Sequence, residues 1–175
     1  MGERIQDNYP IAILDKDTAS KHAERLGELA NQIPQVEYTA EDILAETKGE
    51  RELLRKWDHS LIVFDGDKTV GFIMGYERKG EGNDQYPDNT IYISELAVDE
   101  SYQRRGIARQ LLESFLEKNN HVGLLSLDGD TNYSIQTNSA GWNSHVIELY
   151  ESFGFKKRAT KDYPNRTDVI LGYTP

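Results

Sequence analysis

The chain has 175 residues, a formal net charge of −10 and no cysteine. This length can bury a full core as one domain without metal or disulfides, and the missing cysteines exclude a thiol nucleophile, a disulfide framework and a thiolate metal site. The acidic balance argues against a phosphate-backbone ligand and no apolar run reaches the length of a membrane span, so neither nucleic acid nor membrane is expected as a partner.

Residues 1–6 lack the apolar core of a signal peptide, and Gln6 stands where a myristoylation signal has Ser or Thr, so a cytoplasmic location is expected. Residues 11–14 read as a first strand. Asp17 or Thr18 then caps a helix whose Ala19, Ala23, Leu26, Ala30 and Ile33 form one stripe, and Pro34 stops it. Thr39-Ala40-Glu41-Asp42 reads as a second helix start, with Ile43, Leu44, Leu53, Leu54 and Trp57 as its apolar face and Gly49 as a point that breaks it in two. Residues 61–64 and 69–76 are strands joined by the hairpin turn Asp65-Gly66-Asp67, and a longer polar loop is expected over 79–89.

The next stretch carries the chemistry. Ile91, Ile93 and Leu96 to Val98 make a partly alternating strand that ends in the acidic turn Asp99-Glu100-Ser101. Ile107, Ala108, Leu111, Leu112, Phe115 and Leu116 then repeat at helical spacing, which starts a helix at or near Arg105 and carries it to about Lys118. Between strand and helix lies Gln103-Arg104-Arg105-Gly106-Ile107-Ala108. The first N–H groups of a helix have no partner inside it and the dipole is positive there, so a pyrophosphate is a natural guest. A plain strand-to-helix turn fits the same six residues. Arg104, Arg105 and Arg109 are a cationic exception in an acidic chain.

Two segments downstream, 122–127 and 133–137, are strand-like. A helix over 143–152 follows, with Val146, Leu149, Tyr150 and Phe153 on one side and Gly154 as its left-handed cap. Residues 155–163 and 168–171 close the chain as a hairpin. His22, His59, His121 and His145 are scattered without ligand spacing, so no metal is expected.

Gln103-x-x-Gly106-x-Ala108, placed after a strand ending at Val98, resembles the pyrophosphate loop of the GNAT superfamily of N-acetyltransferases. Asn143, opening a helix that ends in Leu149-Tyr150-Glu151-x-x-Gly154-Phe155, is similar to that family's second signature. The resemblance implies one α/β (α+β) domain over residues 1–175. Its sheet would be mixed, mostly antiparallel, with about six to seven strands, flanked by helices and splayed between strands 4 and 5. Residues 133–137 are then the family's fifth strand, and the additional residues before them are the clearest departure from its pattern.

The resemblance also implies acetyl-CoA as co-substrate. Main-chain groups of Leu96, Ala97 and Val98 would bond the pantetheine arm as an added strand does. Gln103 opens the loop, and the N–H groups from Arg104 and Arg105 through Gly106, Ile107 and Ala108 would hold the pyrophosphate. The side chain of Arg104 or Arg105 would reach the phosphates or the adenosine. Asn143 would bond the pantetheine amides, cap its helix, or do both.

An alkylamine with pKa ~10.4 is protonated at neutral pH, which costs about 4.6 kcal/mol to reverse at pH 7. A carboxylate that takes this proton helps, and Glu95 is the candidate, either in that role or as an acceptor-binding carboxylate. Tyr150 matches the family's tyrosine near the sulfur. A phenol near ~10 is a weaker acid than a thiol near ~8.5, so a hydrogen bond to the departing thiolate suits Tyr150 better than complete proton transfer. The N–H of Val98 or a neighbour would meet the oxyanion. With no cysteine to carry the acetyl group, direct attack in a ternary complex is favoured.

The function expected is acetyl transfer to a primary amine of a small molecule or peptide, and the charge leans toward a cationic acceptor. The alternative is a non-catalytic acyl-CoA-binding domain. A dinucleotide-binding oxidoreductase needs a glycine-richer turn in a parallel repeat, and neither is visible. The resemblance is compatible with a homodimer.

Overall fold

The computed structural model describes residues 8–32, 37–78, 90–119, 135–140 and 144–173. Strand β1 (Ile11–Ile13) leads into helix α1 (Lys16–Ala30). Asp15 caps α1 by accepting the Thr18 N–H at 2.8 Å, two residues before the earlier of the two cap positions expected from sequence. The stripe of Ala19, Ala23, Leu26 and Ala30 is buried as anticipated, whereas Ile33 and Pro34 lie outside the described residues.

Helix α2 (Ala40–Leu44) opens with a complete capping box between Thr39 and Asp42. It does not continue through the Leu53-Leu54-Trp57 positions. Gly49 instead takes φ +63° in the turn between two short strands, β2 (Thr47–Lys48) and β3 (Arg51–Glu52), and a separate helix α3 (Lys56–His59) follows. The apolar positions here belong to two short helices, with Ile43 and Leu44 in α2 and Trp57 in α3, and to Leu53 and Leu54 between β3 and α3, not to one broken helix. Lys56 joins the two helices: its Nζ donates at 2.7 Å to the carbonyls of both Ile43 and Ala45, where a helix end leaves acceptors unpaired.

The main sheet adds β4 (Leu61–Asp65), β5 (Lys68–Arg78) and β6 (Thr90–Val98). A short 3-10 turn (Glu100–Tyr102) and helix α4 (Ile107–Asn119) come next. Strand β7 (Ile135–Ala140), helix α5 (Ser144–Ser152) and the hairpin of β8 (Lys156–Tyr163) and β9 (Arg166–Tyr173) complete it. The seven strands run in the order β1-β4-β5-β6-β7-β9-β8, and every pairing is antiparallel except β6 with β7. Of the two strand-like stretches before α5, the second supplies β7 from Ile135 onward; residues 122–127 and 133–134 lie outside the described residues, as does the expected loop at 79–89.

Each sheet face has its own core. Ile62, Phe72, Met74 and Ala97 pack under Leu26 and Leu29 of α1, while Ile73, Ile91, Ile93 and Val98 pack under Leu111, Leu112 and Phe115 of α4. Among the described residues no helix is long and apolar enough to cross a membrane.

One residue sets the shape of β6. Met74 pairs with Glu95 but Gly75 pairs with Ile93, so Ser94 is an extra residue, a β-bulge. Side chains alternate along a strand, and an insertion moves everything after it to the other face. Ile91 and Ile93 face α4; beyond the bulge Leu96 and Val98 take over that face, and Glu95 and Ala97 turn toward α1 and α2. The bulge also bends β6. Its pairing with β7 covers only Ile91, Tyr92 and Ile93, so the fourth and fifth strands of the main sheet part from there onward.

Candidate active site

The parted strands leave a slot along the second half of β6. The Asp99 N–H donates to Val70 at 2.8 Å, and antiparallel pairs alternate between bonded and non-bonded. From that register Ala97 and Glu95 exchange main-chain bonds with Phe72 and Met74, while the main chain of Leu96 and Val98 faces the slot. The main chain of Ala97, one of the three residues singled out in sequence, is therefore used by β5. The Val98 carbonyl is also engaged, accepting from Gln103 Nε2 at 3.2 Å and from Gln32 Nε2 at 3.4 Å. Among the described residues, the N–H and C=O of Leu96 and the N–H of Val98 stay open.

At the end of the slot the chain enters its loop. Arg104 has φ +64° and Gly106 φ +82°, whereas the intervening Arg105 is not left-handed. Such alternation turns successive N–H groups to one side and forms a concavity for an anion. Among the described residues no backbone carbonyl accepts from the N–H groups of Arg104, Gly106, Ile107 or Ala108, and the first helical bond runs from the Gln110 N–H to Gly106. The Ile107 side chain is buried and Ala108 packs on the same core, so both hold the helix start from below. These donors fit a diphosphate, and the open groups of Leu96 and Val98 fit an amide-bearing arm leading away from it.

The two candidate arginines differ. Arg105 folds back, donating to the Tyr9 hydroxyl at 2.9 Å and the Ser101 carbonyl at 3.1 Å, with its guanidinium 4.8 Å from the Tyr102 ring. Arg104 is exposed on the left-handed residue of the loop. It is the better placed of the two to meet a phosphate. Arg109 ties α4 to α5 through Ser152 at 3.3 Å and lies over Phe153.

Asp99 anchors the strand exit. It accepts from the Ser101 N–H at 2.8 Å and hydroxyl at 2.5 Å, from Arg25, and from Lys68 at 3.3 Å. The Ser101 hydroxyl bond above all, then the Ser101 N–H, Arg25 and Lys68, hold its carboxyl well below the usual range against the opposing effect of burial. A depressed carboxylate stabilises fully above the unfolded value of about 3.9 and progressively less as pH falls below it. Asp99→Asn is therefore expected to be less stable at neutral pH but to lose less stability between about pH 5 and pH 2. Denaturant melts across that range check this, and equal slopes for the two proteins would count against it.

Glu95 and Tyr150 flank the point where the strands part. Glu95 is 8% exposed and lies on the α1 side, where the Tyr38 hydroxyl donates to its Oε1 at 2.5 Å. Tyr150 is 2% exposed on the α4 side, with its ring 5.0 Å from Phe155. Burial first, then the charge of Glu95, pushes the Tyr150 phenol up, while hydrogen bonding with Thr137 pulls the other way. Thr137 also donates to the Ile93 carbonyl at 3.1 Å, where β6 and β7 last pair. Asn143 lies outside the described residues. The left-handed Gly154, φ +95°, ends α5 as expected.

Sequence reasoning missed Tyr38, Gln32 and Thr137. Tyr38 and Gln32 sit at or after the end of α1, outside any periodic face, and each meets a partner more than fifty positions away. No local signal marks them.

Residues 56–157 match the family model described as "Acetyltransferase (GNAT) domain". Among solved structures, Ard1 from Thermoplasma volcanium is similar with 21% identity and a TM-score of 0.72 over 95% of this chain and 97% of its own. The ribosomal-protein-S18-alanine N-acetyltransferase from Escherichia coli gives 17% identity and a TM-score of 0.67 over 95% and 94%. Arabidopsis thaliana Naa50, in complex with the bisubstrate analogue CoA-Ac-MVNAL, gives 17% and 0.67 over 95% and 98%. At these identities the likeness is one of fold. No curated protein matches the chain.

Proposed function

Because the chain belongs to the GNAT acetyltransferases, we propose that it acts as one domain over residues 1–175, moving an acetyl group from acetyl-CoA to a primary amine by direct attack in a ternary complex. The observation that carries this reading is the continuity of the loop N–H groups of Arg104, Gly106, Ile107 and Ala108 with the Leu96 main chain and the Val98 N–H, none of them bonded to another main-chain group among the described residues. Acetyl-CoA, when bound, supplies the activated acyl group as a thioester.

The loop N–H groups and Arg104 hold the diphosphate, and Leu96 orients the arm through its main chain. Asn143 is assigned the arm's amides. The N–H of Val98 or of its neighbour Leu96, which is closer to Glu95 along β6, meets the negative charge developing at the reacting carbonyl. Glu95, buried at the slot, takes the proton that the amine must lose. Tyr150, kept protonated by burial, donates to the departing sulfur.

Arabidopsis NAA60 has been solved with acetyl-CoA, and the NatC complex with Gag peptide and CoA. The peptide of the NatC complex is the reason to test a peptide amine beside small cationic amines in one panel. Thiol release should be measured over that panel. The expected result is turnover of at least one amine by the wild type, with kcat lowered about tenfold or more in Tyr150→Phe and KM for acetyl-CoA within about twofold. Binding of CoA without turnover of any amine would favour a non-catalytic acyl-CoA-binding domain.

A further inference from the structure

Two neighbouring side-chain amides at the end of α1 reach in different directions. Gln32 bridges to the cofactor strand, accepting from the Glu100 N–H at 2.8 Å and donating to the Val98 carbonyl. Asn31 turns to the other side of the site. Its Nδ2 donates to the Tyr38 carbonyl at 2.8 Å and its Oδ1 accepts the Tyr38 N–H at 2.6 Å. Those two bonds satisfy both main-chain groups of Tyr38, and the next residue is locked in the Thr39 capping box. The backbone that carries the phenol is thus fixed on both sides.

From that backbone the phenol reaches Glu95 Oε1 at 2.5 Å. Among the described residues it is the one group that hydrogen-bonds this carboxylate. Burial, and then the charge of Glu95, push the Tyr38 phenol up, so it remains a donor at neutral pH. Lys56, a buried cation that feels that charge, is committed to the carbonyls of Ile43 and Ala45. An ionised carboxylate can only accept hydrogen bonds, and the terminal torsion of a glutamate is soft. A short bond on one oxygen removes that freedom and leaves Oε2 for an N–H from outside.

We propose that Tyr38, clamped by Asn31, is a positioning residue that decides which oxygen of Glu95 meets the acceptor amine. The inference rests on reading Glu95 as the carboxylate facing that amine. A Tyr38 that merely fastened the α1–α2 connection to the sheet would act on stability alone.

The test uses the full chain, acetyl-CoA and the best amine from the panel. Tyr38→Phe keeps the ring and removes the O–H. It is expected to lower kcat/KM for the amine about tenfold or more, the worth of a bond to a charged acceptor, with KM for acetyl-CoA within about twofold. Asn31→Ala should give a loss of similar size. Because Asn31 acts through Tyr38, adding it to Tyr38→Phe should cost less than about a further twofold.

Amide hydrogen exchange gives a readout independent of turnover: the Tyr38 N–H should exchange at least about tenfold faster in Asn31→Ala than in the wild type. An active wild type with an equally active Tyr38→Phe overturns this inference alone, as do losses that multiply in the double variant or unchanged exchange at Tyr38. A wild type inactive on every amine overturns the acetyltransfer reading, and this one with it.

Discussion

Glu95→Gln is expected to lower kcat/KM for the acceptor amine by about 10²-fold or more, with CoA affinity within about twofold. Glutamine has the same shape and its amide oxygen can still accept from Tyr38, so the fold around the slot should survive. What disappears is the negative charge that takes a proton from an ammonium group. The deficit should shrink as pH approaches the amine's own value near ~10.4, where solvent already supplies the neutral nucleophile. Steady-state kinetics from about pH 7 to pH 10, beside a CoA titration, measure this. Activity within about threefold of wild type at neutral pH would move the base to a water or to another group.

Phe115→Ala should cost the largest share of stability of any substitution considered, about 3–5 kcal/mol against a typical total of 5–15. The ring is fully buried in the α4-side core. It lies directly on Gly75: a Cβ built there would come within 2.7 Å of the ring. Gly75 is where β5 regains register across from the Ser94 bulge, so the ring fills space that any larger residue in β5 would need. Removing it opens a cavity beside the bend that parts β6 from β7. Urea melts give the value, and a loss below about 1.5 kcal/mol would mean that the core closes over the gap.

Much of the frame was readable because it depends on neighbours in sequence. The helical spacing from Ile107 to Leu116, the Gly66 turn and the Gly154 cap are local devices, and each stands where expected. The Thr39 capping box was equally visible, but the length of its helix was not. Apolar residues on both sides of Gly49 fit a broken helix as well as they fit a small hairpin between two helical turns.

The loop and Tyr150 were recognisable from residue type and order. Their surroundings were not. Alternation at Ile91, Ile93, Leu96 and Val98 slips by one residue, and the meaning of that slip is a bulge that only the pairing with β5 reveals.

The order of the main-sheet strands with α1, α4 and α5, the glycines that turn the chain and the residue types at the loop were determined by the amino-acid sequence alone, because spacing and backbone freedom are properties of a few adjacent residues. Tertiary structure alone decided that Gln103 and Gln32 close off the Val98 carbonyl, that Arg105 is withdrawn from the loop, and that Tyr38 holds Glu95. Most of these contacts join residues far apart in the chain, and all are fixed by packing: a hydrogen bond of this kind forms where the two cores bring its partners together.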